Sequence, residues 1–96
     1  MNKTSTLDAR QRSKQLFGNR YMLEACVAIA RTEGRVSLTQ LAAGNGLSPS
    51  LLSVPLQRLS GVGLLVPAPH PDDDYRTRWY RRVDSNLWNT AIEFGE

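Results

Sequence analysis

The chain has few of the residues from which reactive sites are usually built. It holds one cysteine, Cys26, and one histidine, His70, in 96 residues. A single cysteine forms no internal disulfide, which fits a reducing compartment and makes the cytoplasm the expected location. A metal site needs several convergent Cys, His or carboxylate ligands. Cys26 and His70 are isolated from each other and from any such cluster, so no metal and no other cofactor is expected. There is no Gly-rich phosphate loop and no nucleophile–base set, which argues against an enzyme. No apolar run approaches the ~18 residues of a membrane span. Nor does a basic segment precede an apolar stretch and a cleavage site, so no signal peptide is expected.

What is present is arginine. Ten of the twelve basic residues are Arg, and the formal net charge is +3. Arg suits planar recognition of phosphate or base edges. Four of them fall within seven residues, at Arg76, Arg78, Arg81 and Arg82. A chain of this length makes one domain with a modest core.

Helix signals dominate the first two thirds. Thr6 to Leu16 reads as a short helix with Leu7 and Leu16 as its only anchors. It must lie across something else, such as a second subunit. Asn19 to Arg31, "NRYMLEACVAIAR", is apolar over most of its circumference and is the central helix, with Asn19 as cap and Gly34 as stop. Cys26, among its apolar residues, reads as a core residue. Arg35 to Leu38 is a short extended piece, and Thr39 caps a second short helix. Asn45 and Gly46 carry turn chemistry. Ser48 caps the next helix with Pro49 at its first position, where proline is welcome.

At 100° per residue this helix, "LSPSLLSVPLQRLSGVGLL", has a clear polarity. Leu52, Leu56 and Leu59 form the core stripe. Ser50, Val54 and Gln57 face the other way, Ser53 lies on one flank, and Leu51 and Arg58 lie on the other. Pro55 sits two turns in, where it removes a hydrogen bond to Leu51 and costs on the order of 3 kcal/mol. The expected accommodation is one helix from Pro49 that bends at Pro55; the alternative is a later start with Ser53 as cap. Gly61 and Gly63 end the element. "LLVPA" and "YRTRWYRRV" read as two strands around a loop at Pro69 to Asp74. "DSNLWNTAIEF" is a closing helix capped by Asp84 or Ser85, with Leu87, Trp88, Ala91 and Ile92 on its apolar face. Trp88 and Phe94 can fill the core or an interface between subunits, and at least one is assigned to the interface.

The predicted fold is mainly α with a small β-hairpin: a winged helix–turn–helix. Its parts are an arm and short helix at 1–17, a core at 18–83 and a closing helix at 84–96. The first and last parts are expected to serve dimerisation. The helix after the turn resembles the second helix of winged-helix repressors of the ArsR type. There a pattern Ser-x-x-x-x-Ser-x-x-Leu-x-x-Leu-x-x-x-Gly-Leu recurs, and Ser48, Ser53, Leu56, Leu59, Gly63 and Leu64 match it. "WYRRVDSNLW" and "LFGNRYMLEACVAIA" resemble the family's wing end and opening. The likeness spans about residues 16–93. Metal-sensing members carry Cys pairs on an early helix or Asp/His pairs on the last one, and this chain has neither. Pro55 stands where the family often has His.

The resemblance implies a DNA-binding regulator acting as a repressor. The implied partners are double-stranded DNA at an inverted-repeat operator and a second copy of the chain; nothing identifies an effector. The expected DNA-binding residues are Ser48, Ser50, Ser53, Val54, Gln57, Arg58, Arg76, Arg78 and Arg82. Gln pairs with adenine, and Val rests on a thymine methyl. In the second strand, period-2 alternation puts Arg76, Arg78, Tyr80 and Arg82 on one face, suited to phosphate or minor-groove contact or else to a solvated arginine strand. Tyr75, Thr77, Trp79, Val83 and Arg81 share the other, assigned to core packing. Asp72 to Asp74 oppose deep insertion of the wing, because carboxylates repel phosphates. The competing reading is a protein-interaction module on the same fold, since fold does not fix function.

Overall fold

A computed structural model of the chain describes residues 9–69 and 77–95. Leu7, His70, the Asp72 to Asp74 tip, Tyr75 and Arg76 lie outside the described residues. The elements are α1 (Ala9–Phe17), α2 (Met22–Ala30), β1 (Arg35–Ser37), α3 (Leu38–Gly44), α4 (Pro49–Gly61), β2 (Leu65–Ala68), β3 (Trp79–Arg82) and α5 (Asn86–Gly95). Among the described residues, no helix is long and apolar enough to cross a membrane.

The apolar girth of α2 makes it the centre. Leu23, Ala25, Cys26 and Ile29 are each at most 1% exposed. α5 packs along α2 with Trp88 and Ala91 buried. The Trp88 indole donates to the Val83 carbonyl at 2.7 Å, so this side chain belongs to the core. Phe94 stays 46% exposed. Gly95 sits so close to α2 that a Cβ there would overlap the Val27 side chain.

The starts of α2 and α3 are satisfied by oxygens other than the expected ones, and α5 takes one of its two expected caps. Ser37, not Thr39, caps α3, its Oγ accepting from Gln40 N at 3.2 Å. Asn19 accepts from Tyr21 N at 2.8 Å, just before α2 begins. The helix-start donor Leu23 N is taken instead by Ser13 of α1, at 2.8 Å. Ser13 also donates to the Asn19 carbonyl, and it is fully buried. α1 therefore has a partner inside its own chain. Leu16, expected as its anchor, is 60% exposed, while Phe17 packs against the core. Ser85 is the oxygen at the start of α5, accepting from Leu87 N at 3.1 Å.

The sheet has the order β1-β3-β2, antiparallel throughout, so the short extended piece adds a third strand to the hairpin. Val36 pairs with Tyr80, and Leu65 pairs with Arg82. Val36 and Leu65 are each 1% exposed, and Tyr80 packs on the core. The helices therefore cover the face that carries Tyr80 and Arg82. This reverses the expected parity of β3, in which the Trp79 and Arg81 face was assigned to the core. Arg35 and Arg81 are direct partners on the outer face, both exposed, with the Arg35 guanidinium over the Trp79 ring.

Candidate nucleic-acid interface

α3, the turn and α4 are set by two glycines. Gly46 has a φ of +67°, a left-handed conformation that side chains avoid. It lets Leu47 N reach back to the Ala42 carbonyl at 2.9 Å, and Asn45 Nδ2 covers the Leu41 carbonyl at 2.7 Å. Gly63 closes α4 in the same way, with Leu64 N donating to Leu59 O at 2.9 Å and Gly63 N to Ser60 O at 3.1 Å. This pair of bonds is a Schellman motif, which satisfies carbonyls a helix end leaves open.

α4 begins with Ser48 in an extended conformation and Pro49 in its first turn, and it runs unbroken through Pro55. The later start at Ser53 is thus not adopted. Pro55 is fully buried beside a stripe of Leu52, Leu56 and Leu59. Burial of its ring offsets part of the missing hydrogen bond. Ser48 occupies the cap position, but its hydroxyl lies 3.0 Å from that of Ser50 and bonds no backbone amide.

With the stripe inward, Ser48, Ser50, Gln57 and Arg58 are exposed, Val54 is 42% exposed, and Ser53 is half-buried. Ser53 and Gln57 open onto a groove of about 350 Å³ between α4, the start of α3 and the root of β3. Thr39, Thr77, Arg78 and Tyr80 also line it. Thr39 and Thr77 were not among the expected site residues. Their places follow from how β1 and β3 pair, a relation no local pattern reports.

The arginines divide. Arg78 is exposed beside the groove. Arg58 donates from Nη1 to the Phe17 carbonyl at 2.8 Å. Arg82 is turned inward: its Nη1 lies 2.9 Å from the Ile29 oxygen, 2.5 Å from Ala30 and 3.1 Å from Thr32. Ile29 and Ala30 carry the closing carbonyls of α2 and Thr32 lies just past its end, and a cation there is favoured by the exposed negative ends of the helix carbonyls. Arg82 is therefore occupied within the chain, unlike the open phosphate-facing side chain that alternation predicted. Arg76 lies outside the described residues.

Burial pushes the Cys26 thiol up to about 11, because desolvation penalises the thiolate. Among the described residues, no group of three or more His, Cys, Asp or Glu side chains is placed to hold a metal ion.

No protein-family model matches the chain, and no curated protein does. Among solved structures, the chain is similar to the crystal structure of the AntR antimony-specific transcriptional repressor. The TM-score is 0.53 at 24% identity, over 95% of this chain and 82% of that one. The likeness establishes the fold, a winged helix–turn–helix of the kind found in that repressor.

Proposed function

We propose that the chain is a sequence-specific DNA-binding transcriptional regulator, a repressor that binds an inverted-repeat operator as a homodimer. One observation carries the reading. α4 presents Ser50, Val54 and Gln57 to solvent on the side opposite its buried leucines, beside a groove whose lining includes Arg78. A helix of this kind enters the major groove, and a flanking cation takes the backbone. Base readout falls to Ser50, Ser53, Val54 and Gln57, and backbone contact to Ser48 and Arg78. The similar solved structure is that of a transcriptional repressor, which agrees with this class of activity.

Self-association draws support from the exposed apolar side chains on the first and last helices, Leu16 and Phe94, 60% and 46% exposed. Two-fold symmetry then sets half-sites one helical turn apart, roughly 34–36 Å. Antimony is not carried over as an effector. A thiophilic ion needs convergent thiolates, and the one thiol, Cys26, is buried and held protonated.

Selection of bound fragments from random DNA, at two salt concentrations, tests the proposal. An enriched inverted repeat, held more weakly at the higher salt, supports it. A protein-interaction module is the second reading. It is favoured by Val54 together with Val62, which is 72% exposed just past α4. Recovery of no sequence at either salt would decide for that reading.

A further inference from the structure

Arg58 lies in the last turn of α4 and is exposed. Its guanidinium is nonetheless committed elsewhere, to the carbonyl of Phe17, 41 positions earlier and the last residue of α1. That carbonyl is one of the four that every helix end leaves without an intrahelical donor. Tyr21 N, the amide four residues on, is turned to the Asn19 side chain. Gly18 turns the chain at this point. Its φ of +73° swings the chain out of the helix, and a Cβ there would be 4.0 Å from Arg58 Nη1. The cation thus sits at the negative end of α1.

The other end of this connection is equally firm. Ser13 fastens α1 to the first turn of α2 through Leu23 N, and Arg10 pairs with Glu24 of α2. α1 is therefore held by α2 on one side and by the reading helix on the other. We infer that Arg58 is a positioning residue: it ties the end of α1 to α4, so that the seating of α1 also sets where Ser50, Val54 and Gln57 stand. The consequence for operator binding rests on the DNA-binding reading, whereas the tie itself is a property of the free protein. Because α1 carries the exposed Leu16, association of two copies through α1 would be felt at the reading face through this bond.

Two measurements on Arg58→Ala and Arg58→Lys test the inference. The first is hydrogen exchange in the free protein at the Gly18 amide, which donates to Lys14 O in the last turn of α1. Relative to the buried amide of Ala25, which donates to the Tyr21 carbonyl and not to α1, Arg58→Ala should exchange about 3- to 10-fold faster at Gly18, and Arg58→Lys should recover most of the difference. The second is binding to a selected operator and to a scrambled fragment across salt. Arg58→Ala should lower the ratio of the two affinities while leaving the salt slope unchanged. A phosphate contact would instead make the slope shallower by about 1 and weaken both fragments alike. That result, unchanged Gly18 exchange, or an unchanged affinity ratio despite faster exchange would each overturn the inference. If the wild-type chain binds no DNA, the DNA-binding reading falls, and Gly18 exchange alone still decides whether the tie exists.

Discussion

Nη1 of Arg82 donates to the carbonyl oxygen of Ile29 at 2.9 Å, across 53 positions of sequence. With Ala30 and Thr32 it completes the hydrogen bonding at the end of α2. The Val27 carbonyl takes Arg31 N at 3.1 Å, and the Ala28 carbonyl takes the Thr32 hydroxyl at 2.8 Å. The wing strand is thereby bound to the central helix through a side chain that sequence alternation assigns to DNA.

Arg82→Ala should therefore cost stability first. Losing charge-assisted bonds to part-buried carbonyls costs about 1.5–3 kcal/mol. Arg82→Lys should recover part of this, since an ammonium also favours a helix C-terminus. Thermal unfolding checks the loss. Binding measured well below the melting temperature should keep its salt slope.

Gln57 and Arg78 make opposite predictions. Gln57→Ala should relax preference at one or two base pairs, at about 1–3 kcal/mol of discrimination. Arg78→Ala should weaken all sequences alike and reduce the salt slope by about 1. Competition with single-base operator variants separates the two. Unchanged preference in Gln57→Ala would mean that the reading face is misassigned.

Pro55→Ala restores an amide donor for the Leu51 carbonyl and removes a clash that costs about 3 kcal/mol. It also removes ring carbons from a fully buried position, at roughly 0.8 kcal/mol per methylene. The first effect is larger, so the melting temperature should rise, while operator affinity or preference changes if Pro55 shapes how α4 presents its reading face. A lower melting temperature would show that packing of the ring outweighs the lost bond.

Cys26 should act as core, not as a switch. Its thiol is raised from 9.0 to about 11 in the folded chain. The unfolded chain releases this proton first, so the stability tied to Cys26 is fully present below about pH 9 and is lost as pH rises towards about 11. Cys26→Ala should remove that part of the alkaline decline, a difference that denaturation at a series of pH values measures. Zinc, copper or mild oxidant should leave operator affinity unchanged. Loss of binding that Cys26→Ser abolishes would contradict this.

The elements that local chemistry dictates were legible in the sequence. Gly46 and Gly63 announce helix ends because glycine takes the required positive φ without strain. Ser48–Pro49 marks a helix start, and the leucines at 52, 56 and 59 mark its buried side. What stayed hidden depends on partners distant in the chain. Trp79 and Tyr80 are adjacent aromatics, and alternation cannot say which one faces inward. The pairing of Val36 with Tyr80 decides it. Arg58 and Arg82 resemble surface cations until two helix ends are placed beside them. Ser13 reads as a polar helix residue, yet it is fully buried because its hydroxyl serves both Leu23 N and Asn19 O.

The most direct measurement is the affinity of the wild-type chain for its selected operator against a scrambled fragment of equal length, followed across salt. The predicted result is a ratio on the order of 10³ or more that falls to near unity when the operator bases are permuted, with log affinity declining linearly in log salt. Equal affinity for both fragments, or no binding to either at low salt, would contradict the assignment of α4 as a DNA-reading helix.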